Sequence, residues 1–352
     1  MSNPEGKPDE LVCAGSEAEG VEIMGPREVP LGGPRAMSVR RTLPQRHRSL
    51  IGAWCFLDHY GPDPVDATGG MRVAPHPHTG LQTVSWLFEG EIEHRDSAGN
   101  HAMVRPGEVN LMTAGRGISH SEVSTEGTTT LHGAQLWVAL PDESRQTDPG
   151  FEHHAPEEVA GDGWRGRVLL GSLLGHTSPV QTFTPLLGAE VVLDPGVILP
   201  LEVDPSFEHG VLVDLGSVTV DGTTAKVADL AYVPPGDGTV ALVAGDEGAR
   251  VLVLGGPPFE ESIVMWWNFV GRTHEEIVGY RAEWQEQVRT FDEGTDRDPA
   301  DAGGLREDGE QPMRVVADGQ QVRDGRFGVV VGDHLAPIPA PVLPNARLKE
   351  RR

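Results

Sequence analysis

Val73–Thr83 reads VAPHPHTGLQT, and its two histidines, alternating with prolines, decide how the chain around them is read. His76 precedes Pro77, which pushes it out of the helical region into extended geometry. The ring of Pro77 fixes its own φ near the extended value. In an extended chain, residues i and i+2 face the same side. His76 and His78 therefore present two imidazoles in one direction, which is half of a metal site.

The other half is expected from a neighbouring strand. Thr113–Val123, TAGRGISHSEV, supplies His120 and Glu122, again at i and i+2, and Gly115 and Gly117 allow a sharp turn just before them. Three imidazoles and one carboxylate suit a first-row divalent ion, and no thiolate is offered. Four protein ligands leave positions open on an ion that prefers six, as a catalytic metal requires. Each half has a plainer reading: the His-Pro-His run as a stiff surface turn, His120 as a hydrogen-bonded histidine. Two pairs about one hairpin apart, each with its own backbone reason, favour the metal.

Outward from these pairs the chain reads as strands. TVSWLFEG, EIEHRDSAGN, VNLMTAG and TLHGAQLWVAL are short apolar segments between Gly, Pro, Asp and Asn clusters, and DSAGN is a hairpin turn. Asp142–Gly163 reads as a long polar connection, with His153 and His154 solvated. Strands then resume in RVLLGSLLG, VQTFTPLLGAEVVL, HGVLVDLGSVTV, DLAYVPPG, TVALVAG and ARVLVLGG. A weak repeat aligns Gly90 with Gly216 and sets Glu202 and Asp204 opposite His76 and His78, so one site per chain is expected, in the first half.

Near the end, RTHEEIVGYRAEWQEQV predicts a helix. Thr273 and Glu276 fit a capping box, and Ile277, Tyr280, Trp284 and Val288 share one face. The expected organisation is all-β: two sandwich or barrel units with a terminal helix. The segments are 1–20, a disordered lead-in; 21–150, a first unit with the metal site; 151–291, a second unit with degenerate ligands; and 292–352, an acidic, Pro-rich tail that is partly disordered. The end of that tail either straps back onto a domain or is loose.

The 352 residues suit two domains with tails. The formal charge of −25 repels phosphate backbones and anionic bilayers, so neither direct nucleic-acid binding nor membrane docking is expected. No basic region followed by an apolar core opens the chain, and two cysteines, Cys13 and Cys55, make no disulfide framework. A cytoplasmic location is expected. GDGWRG, Gly161–Gly166, follows an acidic loop and leads to no helix, so it is not a dinucleotide loop. HRD, His94–Asp96, reads as a strand end rather than a kinase loop, and HEEIV, His274–Val278, lacks the second histidine of a zinc-protease helix. Trp266 and Trp267 read as packing.

HPHTGLQTVSWLFEGEIEHRDSAGN with PGEVNLMTAGRGISHSE, and FLDHYGP upstream, closely resembles the pirin family of the cupin superfamily. The strong match covers about Arg41 to Val123, and the second half agrees in general pattern. The resemblance implies a bicupin, two β-barrels (jelly rolls) face to face with a few short helices. It implies iron, ferrous in the first instance, held by His76, His78, His120 and Glu122. Gln82 stands where pirins usually carry a glutamate, which implies altered polarity just behind the metal. Ala53-Trp54-Cys55 replaces a more usual run, which implies an altered pocket wall. The resemblance further implies one of two functions. The first is a quercetin 2,3-dioxygenase acting on flavonols, with Glu122 as ligand and possible base. The second is a redox- or metal-responsive regulator acting through protein partners.

Overall fold

The computed structural model describes residues 20–31, 37–295 and 325–351. The lead-in before Gly20, Cys13, and residues 296–324 of the acidic linker lie outside the described residues.

The first unit is a seven-stranded and a four-stranded antiparallel sheet. The larger runs, in spatial order, Gly150–His154, Val109–Thr113, Leu81–Glu89, Thr130–Ala139, Trp54–Pro64, Ser38–Leu43, Arg27–Pro30. The smaller runs Arg72–His78, Ile118–Ser124, Ile92–Asp96, His101–Val104. The second unit is one nine-stranded sheet built around two long strands, Glu208–Val220 and Thr239–Gly256. This is the expected all-β bicupin. No sheet closes on itself among the described residues, so each unit is a pair of facing layers rather than a continuous hydrogen-bonded barrel.

The long strands explain how one sheet makes two layers. TVALVAG and ARVLVLGG, read as separate strands, are one strand bent at Gly248. Gly248 and Gly216 both take positive φ (+79° and +70°). A Cβ at Gly216 would lie 2.0 Å from the Gly248 carbonyl oxygen, so only glycine allows the two strands to bend past each other.

The units meet sheet to sheet. Val84 and Trp86 with Leu136 and Trp54 from the first pack on Leu170, Leu212, Leu252 and Leu254 from the second. The Trp54 Nε1–H donates to the carbonyls of Leu187 and Gly255, both at 3.2 Å. The Trp86 Nε1–H donates to Glu190 at 2.9 Å, whose carboxyl is raised by burial.

The chain also crosses between units at both ends, which a linear division could not foresee. Glu22–Met24 pairs with Leu230–Val233 in the second unit. Gly150–His154, within the expected polar connection, is an edge strand of the first unit on Val109–Thr113, with His153 Nδ1 2.6 Å from Asn110 Oδ1. The hairpin Val264–Trp266/Phe269–Gly271 and the helix His274–Thr295 return to the first unit, where Thr79 bridges Phe269.

The helix carries the expected apolar face, with Ile277, Tyr280, Trp284 and Val288 buried beside Trp266, Trp267 and Phe269. At its start the Glu276 N–H donates to Thr273 Oγ1 at 3.2 Å. Glu276 reaches back to the Arg272 N–H at 2.6 Å, one residue earlier than in a standard capping box. Thr273→Ala is expected to destabilise the protein by about 1 kcal/mol, read as a shift of the urea midpoint at constant slope.

Residues 325–351 strap back onto the first unit and the helix. Phe327, Ala340 and Leu348 join the helix core. Trp284 donates to the Ile338 carbonyl at 2.8 Å, and Ile263 bridges Arg351. Among the described residues no helix is long and apolar enough to cross a membrane.

Candidate metal centre

One face of the four-stranded sheet gathers the histidines. His76 is registered opposite His120 and His120 opposite Asp96, while Glu122 is opposite His94. Opposed residues on antiparallel strands share a face, so two rows form: His76–His120–Asp96 and, beside it, Glu122–His94. The turn leading in requires glycine at Gly115, whose φ is +53° and whose Cβ would lie 2.1 Å from the Thr147 carbonyl oxygen.

His76, His78, His120 and Glu122 are all buried. Ligand atoms of His76, His78 and His120 lie within 4.8 Å of one another, as do those of His94, His120 and Glu122. The ring centroids of His76 and His120 are 4.3 Å apart, and His78 is 5.0 Å from each. Hydrogen bonds set the tautomers. The His76 Nδ1–H donates to the Ala74 carbonyl at 2.9 Å, and the His78 Nδ1–H to the Asn268 carbonyl at 3.1 Å. His120 Nδ1 faces His94 Nδ1 at 3.4 Å. The Nε2 atoms of all three find no hydrogen-bond partner among the described residues.

Burial holds these imidazoles neutral, His76 down to about 3 and His78 and His120 well below the ordinary value. Leaving a buried polar nitrogen unsatisfied costs about 1–3 kcal/mol. Three neutral lone pairs converging in one place are satisfied together by one cation, and the Glu122 carboxylate beside them supplies opposite charge. The donor set fits a first-row divalent metal. Glu122 Oε1 lies 3.5 Å from Ser85 Oγ, which in turn donates to Gln135 Oε1 at 2.9 Å.

A second cluster, His59, His132 and Asp214, lies where the units meet, and it differs in kind. His59 Nε2–H donates to Asp214 Oδ1 at 2.7 Å, and His132 Nε2 is 2.6 Å from the same oxygen. Arg250 pairs with the other oxygen, and Arg40 Nη2 is 3.4 Å from His59 Nε2. Ligands about 2.1 Å from a shared ion stand about 3 Å apart. Here the donors are aimed at the carboxylate instead, with two guanidinium groups that would repel a dication. This is a hydrogen-bonded clamp between the units. Within the second unit alone the described residues form no metal-ligating group. Asp204, aligned with His78, instead accepts from the Ser206 N–H and hydroxyl.

Two side chains lie elsewhere than the resemblance implied. Gln82 shares the inter-unit face of its strand with Val84 and Trp86, and its Nε2 donates to Thr113 Oγ1 at 2.9 Å. The side chain of that strand that reaches toward Glu122 is Ser85. Trp54 belongs to the inter-unit core, whereas Cys55 packs with Phe56, Ile118 and Trp137 near the candidate ligands. Burial pushes the Cys55 thiol up to about 12, which leaves it an apolar filler rather than a ligand. The sequence reading places His94 and Asp96 at a strand end, as observed, and gives them no part in the site. Their i, i+2 spacing, the same as in the other two pairs, was the available signal.

Both strands that carry the candidate ligands are held from the C-terminal part of the chain. The Asn268 turn holds His78. The Ile338 N–H donates to the Pro75 carbonyl at 2.9 Å, next to His76. The Ser119 hydroxyl, next to His120, donates to the Phe327 carbonyl at 3.0 Å, as does Ser97 at 2.6 Å.

Two facing β units with a buried histidine–carboxylate centre in the first define a bicupin. The chain belongs to the pirin family: the Pirin family pattern matches residues 36–138, and that of the Pirin C-terminal cupin domain matches residues 188–291. A Pseudomonas aeruginosa protein described as a candidate quercetin 2,3-dioxygenase is 46% identical over 267 residues, 75% of this chain and 84% of that one. A pirin-like protein of Caulobacter vibrioides is 39% identical over 257 residues, 70% of this chain and 88% of that one. The crystal structure of a quercetin 2,3-dioxygenase from Acinetobacter baumannii superposes with a TM-score of 0.78 at 36% identity, covering 94% of this chain and 98% of that chain.

Proposed function

We propose that this pirin is an iron-dependent dioxygenase of quercetin-type flavonols, acting in the cytoplasm, with His76, His78, His120 and Glu122 as the metal ligands. One observation carries the reading: three buried, neutral imidazoles turn their unpartnered Nε2 atoms on one space with a carboxylate beside it. A metal held by these four residues would supply a Lewis acid that acidifies a substrate hydroxyl.

The protein's part follows from its own geometry. The Ala74 and Asn268 carbonyls keep the Nε2 lone pairs of His76 and His78 directed inward. The Glu122 carboxylate is placed to accept the proton of an acidic flavonol hydroxyl, acting as base as well as ligand. Phe56 and Trp137, stacked at 4.0 Å, with Trp137 edge-on to His78 at 5.1 Å, keep this side of the site apolar and exclude water. The test is oxygen uptake and loss of quercetin absorbance with iron-loaded protein. Turnover is expected, and His120→Ala is expected to abolish it. Iron-loaded protein that leaves quercetin and other flavonols intact sinks the assignment.

The strap favours a second reading, a metal-responsive regulator engaging a protein partner. Residues 325–351 contact the residues next to His76 and His120, so changes at the centre have a direct route to the surface. A pull-down in ferrous and ferric conditions that returns the same partners rules it out.

A further inference from the structure

We propose that Asp96 and His94 form a relay that fixes the tautomer of His120 and strengthens it as a ligand; the inference rests on the metal reading above. Asp96 closes the hairpin turn. Its Oδ1 accepts from the N–H groups of Ala98 (2.9 Å) and Asn100 (3.0 Å), and its Oδ2 from Asn100 Nδ2 (2.9 Å). The carboxylate is thereby held in one orientation, with Oδ2 3.4 Å from His94 Nε2.

A carboxylate only accepts, so the His94 proton resides on Nε2. His94 Nδ1 is then a bare lone pair, and it faces His120 Nδ1 at 3.4 Å. That contact is a hydrogen bond only if His120 carries its proton on Nδ1. His120 Nε2 is left as the lone pair, turned toward His76 and His78. The proton positions follow one another from Asp96 to the metal side without a free choice. His94 is 2% exposed and packs against the Phe151 ring at 4.9 Å, so water does not compete for the relay.

The three imidazoles are thus oriented by different means. His76 and His78 donate to backbone carbonyls, which no substitution removes directly. His120 is oriented by side chains, through a carboxylate that adds negative charge behind the ring and raises its donor strength. Asp96 and His94 are positioning residues in this scheme. Asp96→Asn keeps the shape but can put an N–H where the acceptor was. It would reverse the His94 tautomer and bring two N–H groups together between His94 and His120.

The test loads full-length wild type, Asp96→Asn, His94→Phe, His120→Ala and His101→Ala with Co(II). Affinity is read by chelator competition, and the exchangeable, hyperfine-shifted imidazole N–H protons by NMR. Wild type should show one such proton each from His76, His78 and His120. Asp96→Asn and His94→Phe should bind about 10–100-fold more weakly and lose or speed the exchange of one N–H signal. His101→Ala, which removes the pair with Glu93 on the same hairpin but leaves Asp96 and its partners in place, should retain all three signals and wild-type affinity. An Asp96→Asn protein with wild-type signals and affinity overturns the relay while leaving the metal reading standing. So does a His101→Ala protein that matches Asp96→Asn. A loss in His94→Phe as deep as in His120→Ala would place His94 in the coordination sphere and also overturn it. Wild type that takes up no Co(II) removes the metal reading and the relay together.

Discussion

His78→Ala is expected to weaken metal binding by more than about 100-fold, beyond the range for losing a hydrogen-bonded partner of a ligand, while leaving the metal-free fold nearly as stable as before. The two effects separate because, among the described residues, the His78 Nε2 has no hydrogen-bond partner to lose. Its Nδ1 bond to Asn268 is worth about 1 kcal/mol net. A ligand that binds only the folded state at 100 times its Kd adds about 2.7 kcal/mol. Wild type should therefore melt several degrees higher with saturating metal than without it, and the variant should melt at the same temperature in both. A metal-dependent rise that survives in His78→Ala would contradict the site.

Asp214→Ala is expected to destabilise the protein by about 3–5 kcal/mol, because it leaves His59, His132, Arg40 and Arg250 facing one another without their shared carboxylate. A loss below about 1 kcal/mol in urea unfolding would show that the clamp contributes little. Its pH dependence has a defined sign. Burial depresses His59 below its usual value against the opposing pull of Asp214. Burial works to raise the Asp214 carboxyl, but the N–H groups of His132 and His59 outweigh it and hold the carboxyl below the usual carboxylate range. For His59, stability is lost as pH falls below the unfolded value of about 6.5 toward its folded pKa. For Asp214 it is lost below about 3.9, the unfolded value. A single proton linked in this way changes stability by at most about 1.4 kcal/mol per pH unit. His59→Gln should flatten the slope between pH 6.5 and 4, comparing wild type with the variant because buried His209, itself depressed to about 4 by burial, adds its own share. An unchanged slope would mean that His59 does not carry it.

What was legible in the sequence was local. Pro77 dictates extended geometry around His76 whatever the surroundings, and Gly115 sits where only glycine fits, so the two i, i+2 pairs that the sheet brings together could be read directly. The apolar face of the helix follows from its 3.6-residue period. What was not legible depends on which strands become neighbours. Asp214 meets His59 across 155 residues of chain, and Asn268 meets His78 across 190. Gln82 could be assigned to a face only once the strand register was known. The bend at Gly248 resembled a strand end because a run of Asp, Glu and Gly interrupts the apolar residues in either case.

The exchange of segments between the units also bears on synthesis. Chains emerge from the ribosome N-terminus first, and domains ordinarily fold as they appear. Here the first unit cannot be finished in that order. Its His78 carbonyl partner is Asn268, and the carbonyl that receives Ser119 belongs to Phe327. The nascent first unit must wait, with its histidines poorly oriented, until Asn268 and Phe327 have been made. Meanwhile Glu22–Met24 waits for a sheet that does not yet exist. On the metal reading, an ion is taken up only after Asn268 and Phe327 have emerged, so a product truncated before them would lack an oriented centre.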